Sequence, residues 1–140
     1  MRSPLILSLA CCALALPAMA GEPMAAYGES YQGPKTLTVE VAPTAKGDHV
    51  LIKSHGVNHP WDGKVFLAEV RSGPKGRVDY VISHEGADYM LMQDGQQQGA
   101  AISLPGLGAL QLRFDRDAAL KVQPAHLMTE YESQTSEAAP

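Results

Sequence analysis

Short runs in which apolar and polar residues alternate, each closed by glycine, proline or aspartate, recur about every ten residues from Thr36 onward. Thr36 to Val41 sets the pattern: Leu37, Val39 and Val41 share one face, and Thr36, Thr38 and Glu40 the other. A period of two belongs to a strand with one buried face, because successive side chains on a strand point to opposite sides. The same alternation sets Val50 and Ile52 against His49, Lys53 and His55, with Leu51 breaking it. It sets Val78, Tyr80 and Ile82 against Arg77, Asp79, Val81 and Ser83, and Leu110, Leu112 and Phe114 against Gln111, Arg113 and Asp115. The stretch 64–71 reads as a mixed strand whose inward side cannot be assigned from pattern alone.

The connections are turn chemistry: 43–48, 72–76, Asp94-Gly95 as a two-residue hairpin, and 105–108. Weaker strands fall at 89–93, 99–104 and 120–122, and Met90 and Met92 should share a face. The expectation is an all-β domain, a small antiparallel up-and-down meander of about eight strands. A barrel is preferred over a sandwich, since closure leaves no exposed strand edge.

The termini read differently. Residues 1–20 combine Arg2, an apolar run and Ala18-Met19-Ala20, the pattern of a signal peptide cleaved after Ala20. The expected location is therefore periplasmic or secreted. Residues 21–35 read as an irregular lead-in, 36–128 as the single β domain, and 129–140 as a disordered acidic tail. Both cysteines, Cys11 and Cys12, lie in the leader, so the mature chain has none. That excludes thiolate catalysis, disulfide stapling and cysteine-based metal sites. Without Arg2, ten basic residues face fifteen acidic ones, a net charge of −5. A mildly acidic surface argues against nucleic acid as a partner. No second apolar run is long enough for a transmembrane segment.

In a meander, alternate loops emerge at the same end. Loops 56–63, 85–88 and 105–108, with both chain ends, should share one rim. That places His55, His59, Asp62, His84, Glu85 and His126 together and leaves only His49 opposite. Imidazoles with carboxylates are the donor set of a cysteine-free zinc or copper site, so metal binding or delivery is one expectation. Trp61, in Pro60-Trp61-Asp62-Gly63, has two readings: a plug folded over the barrel end, or an anchor presented to a partner with Asn58 and Asp62.

The sequence carries no Gly-x-Ser-x-Gly elbow, His-Glu-x-x-His pair or phosphate-binding glycine loop. The leading expectation is a non-enzymatic exported domain, of inhibitor, immunity or accessory-subunit type. It would bind a protein partner in the cell envelope or outside the cell through the 56–63 rim. Alternatives are the His-rim metal protein and a carrier of a small apolar ligand.

Overall fold

The computed structural model describes residues 22–96 and 99–138; the expected leader and both cysteines lie outside them. Among the described residues, eight strands follow one another: β1 (Glu29–Gln32), β2 (Thr38–Pro43), β3 (His49–His55), β4 (Val65–Ser72), β5 (Val78–His84), β6 (Ala87–Asp94), β7 (Ala100–Leu104) and β8 (Gly108–Phe114). Each pairs antiparallel with the next, and β1 pairs with β8 through Tyr31–Phe114 and Gln32–Arg113 to close the barrel. Two helices follow, α1 (Arg116–Ala119) and α2 (Pro124–Ala138). No helix among the described residues is long and apolar enough to cross a membrane.

The bore is filled by the alternating residues. Leu37, Val39, Val41, Ile52, Met92, Ile102 and Leu104 are all but inaccessible, and Tyr31, Tyr80, Ile82 and Leu112 pack with them. Burying this aliphatic and aromatic surface is the main force holding the strands together.

Five expectations are corrected. The lead-in is not wholly irregular: Glu29–Gln32 is the strand that closes the barrel, too short for alternation to be visible. The segment 120–122 is not a strand, and residues 124–138 form a helix that takes in 129–138 of the expected disordered tail. Leu127 and Met128, with Tyr131 beside them, press onto the outward residues Ala42, Leu51, Val65 and Leu67 of β2, β3 and β4. Removing that apolar surface from water gives an otherwise polar segment a reason to be helical.

The Asp94-Gly95 pair does not make a two-residue hairpin. Instead Gly95 N donates to Gly99 O at 2.8 Å and Gly99 N to Gln96 O at 2.9 Å, which puts the crossing between strands further along the chain. Nor do Met90 and Met92 share a face. Tyr80 pairs with Met92 but Val81 with Met90, so a bulge at Leu91 turns Met92 into the core and Met90 out to solvent.

Helix α2 is fastened at two further points. Lys53 Nζ reaches both oxygens of Glu130 at 3.0–3.1 Å. The Gln134 amide accepts from Val65 N at 2.9 Å and donates to Val65 O at 2.8 Å, meeting both backbone groups of that residue as a neighbouring strand would.

Candidate functional site at the Trp61 rim

The paired register of β4 and β5 covers Glu69–Ser72 on β4 and stops short of the rim that carries loop 56–64. Aromatic rings occupy this end. The Trp61 indole lies 4.8 Å from Phe66, 5.0 Å from His84, 5.6 Å from Tyr89 and 5.8 Å from His59, centroid to centroid. The edge-to-face geometry of most of these pairs sets ring hydrogens against π faces, the favourable arrangement of aromatic quadrupoles. Tyr89 is tied in turn by its hydroxyl, which donates to Ser103 O at 2.7 Å.

His59 fixes the loop. Its Nδ1 accepts from Trp61 N at 3.0 Å, and its Nε2 lies 2.8 Å from Pro105 O. A backbone N–H can only donate, so Nδ1 is unprotonated and Nε2 carries the hydrogen given to Pro105. One neutral imidazole thus joins two rim loops. Asp62 Oδ1 accepts from Val57 N at 3.2 Å, and Gly63 N donates to Ser54 O at 2.8 Å, closing the loop on the end of β3. Trp61 is half-buried and enclosed by rings, packed over this end of the barrel.

The residues expected to form a metal site are distributed otherwise. His59 and His84 both touch Trp61, and His84 Nε2 lies 3.8 Å from the exposed Glu85. His55 is exposed at the end of β3, and Asp62 serves its own loop. His126 is exposed in the first turn of α2. Its neighbours Pro124 and Ala125 face residues 22–26 at the opposite rim. The lead-in also enters there, with Ala25 N donating to Pro43 O at 2.9 Å. His126 fails to join the others because the chain turns into a helix after Val122 instead of continuing as a strand. Among the described residues, these six do not supply three converging ligand atoms.

Beside the plug lies a cleft of about 390 Å³, lined by 34–36, 56–58, Leu107 and Leu110. Its walls are set by the backbone. Lys35 and Gly56 both have positive φ, at 57° and 93°. The Thr36 hydroxyl donates to Gly56 O across the cleft floor. A methyl group on Gly56 would run into Thr36 O, so glycine is required there by space as well as by φ. Leu107, 48% exposed, stands on one lip, and Asn58 and Lys35 are exposed on the others. Pattern reading passed over this cleft because its residues come from three turns, where periodicity carries no signal; the apolar Leu107 between two glycines was the one available clue.

The mouth of the barrel opposite Trp61, the lower mouth, holds a second concavity of about 470 Å³, with Tyr31, Glu29 and Asp94 in its lining. The Tyr31 hydroxyl donates to Glu29 Oε1 at 2.9 Å and lies 3.5 Å from Asp94 Oδ2. Burial, and then the two carboxylates, push its phenol far above the usual tyrosine range.

No protein-family model, curated protein or solved structure matches the chain.

Proposed function

We propose that this protein is a non-enzymatic binding domain that engages another protein through the rim formed by loops 33–37, 56–63 and 105–107. The observation that carries the reading is the cleft between Lys35, Asn58 and Leu107: a concave, largely apolar recess on a rigid rim. Such a recess fits an apolar side chain or a short extended segment of a partner, with Asn58 and Lys35 offering polar contacts at the edge. Because Trp61 is committed to the plug, its part is to hold the rim rigid rather than to insert into the partner. The small-ligand carrier draws no comparable support, since core side chains fill the bore.

The reading includes export, supported by the composition of residues 1–20. Intact mass of the protein from its native host should show a chain beginning at Gly21.

Binding is tested with a photo-crosslinking residue at Asn58 and another at Ala45, on the opposite rim, in otherwise intact protein exposed to host envelope extract. A single adduct from position 58, absent from position 45 and lost with Leu107→Asp, is the expected result. Equal labelling from both positions, or none from a folded protein, rejects the cleft as the binding surface.

A further inference from the structure

Three ligand-type side chains converge at the rim opposite Trp61. Glu22, Asp48 and His49 each bring one donor atom into a common space, and these atoms all lie within 4.8 Å of one another. His49 Nδ1 is 3.2 Å from Asp48 Oδ1. That is about the edge of a donor tetrahedron around an ion with bonds of roughly 2.0–2.2 Å. The nitrogen itself is shielded from water, and the Asp48 carboxylate is the polar group beside it.

The three residues come from two segments, and backbone bonds hold those segments together. Ala45 N donates to Pro23 O at 3.0 Å, Ala25 N to Pro43 O at 2.9 Å, and Met24 bridges Thr44. This lays Glu22 against the β2–β3 turn. The buried Thr44 then closes the turn: its backbone N–H and its hydroxyl both donate to His49 O, at 3.0 and 3.1 Å. The hydroxyl is also 3.4 Å from Asp48 Oδ1. Such outer contacts orient ligands before a metal arrives.

We propose that Glu22, Asp48 and His49 bind one borderline divalent cation, Zn²⁺ foremost, which pins the lead-in to the β2–β3 turn. One imidazole nitrogen and two carboxylates suit zinc and its neighbours. Magnesium and calcium instead favour sites built from oxygen donors, with six or more around calcium. Two carboxylates and a neutral imidazole balance the charge of the ion, and three protein donors leave one position for water. The site is independent of the rim cleft and lies at the other end of the barrel.

The test uses tag-free, chelator-stripped protein retaining Glu22, titrated with Zn²⁺ by calorimetry and followed by thermal unfolding. The expected result is one ion per chain and a melting temperature that rises with Zn²⁺ concentration by mass action. His49→Gln and Glu22→Gln should each weaken binding at least about tenfold, the loss expected on removing a donor. Both variants should keep the wild-type circular dichroism; Glu22→Gln lies outside the barrel and serves even if His49→Gln unfolds. His55→Gln, at the far rim, should bind as the wild type does. No uptake by the folded wild type, or uptake that survives Glu22→Gln and His49→Gln, overturns the proposal.

Discussion

Tyr31 carries its phenol into the lower mouth of the barrel between Glu29 and Asp94, and that placement fixes how the fold responds to alkali. Burial raises the folded-state pKa above the unfolded value of about 10. Above that pH the unfolded chain loses a proton that the folded chain keeps, so stability is complete below pH ~10 and falls as pH rises beyond it. Tyr80, also raised by burial, acts in the same direction. Urea midpoints measured from neutral to strongly alkaline pH should decline on the alkaline side for the wild type and less steeply for Tyr31→Phe. Identical slopes would show that the phenol does not carry the effect. The inward set Leu37, Val39, Val41, Val50, Ile52, Tyr80 and Ile82 was legible in the sequence, because a period of two dictates which face each residue takes. The bond from His59 to Pro105 was not, since the two lie 46 positions apart. Met90 and Met92 were expected on one face and are not, because one extra residue at Leu91 reverses the alternation, and nothing in the local sequence marks a bulge.

At the scale of the element, α2 shows how a helix can be recruited by the surface beneath it. Its own residues are mostly polar, which is why 129–140 read as a disordered tail. The clue lay in its partners. Leu51 broke the alternation of β3, and 64–71 offered no assignable inward face, because the outer wall of β3 and β4 is also a buried surface. A strand with two apolar faces asks for a second layer, and that request is visible in sequence even when the covering element is not. Leu127, 3% exposed, is the central contact of the helix. Leu127→Ala should cost about 2–5 kcal/mol, the usual range for a buried leucine, read from chemical denaturation. A loss under about 0.5 kcal/mol, ordinary for a surface position, would mean that the helix contributes little to the fold.

For the whole molecule, the seam between first and last strands decides how the barrel opens. β1 and β8 are paired only at Tyr31–Phe114 and Gln32–Arg113, whereas β2 and β3 are paired from Thr38–His55 to Pro43–Val50. Ser30 O, which accepts from Asp115 N at 2.8 Å, and Gln32 Nε2, which donates to Asp115 Oδ2 at 3.1 Å, extend the seam a little. Native-state amide exchange should therefore find Gln32 and Phe114 opening with a lower free energy than Val41 or Ile52. Equal protection throughout would mean that the barrel opens only by global unfolding. The meander and its two rims could be read from turn spacing; the closing strand could not, being four residues long. Chain order adds one consequence of the helical cover. Lys53 and Glu130 are 77 positions apart, so the flank formed by Ala42, Leu51, Val65 and Leu67 is synthesised long before the segment that shelters it. A growing chain halted before Leu127 would carry that oily stripe bare, without the helix that covers it in the finished fold.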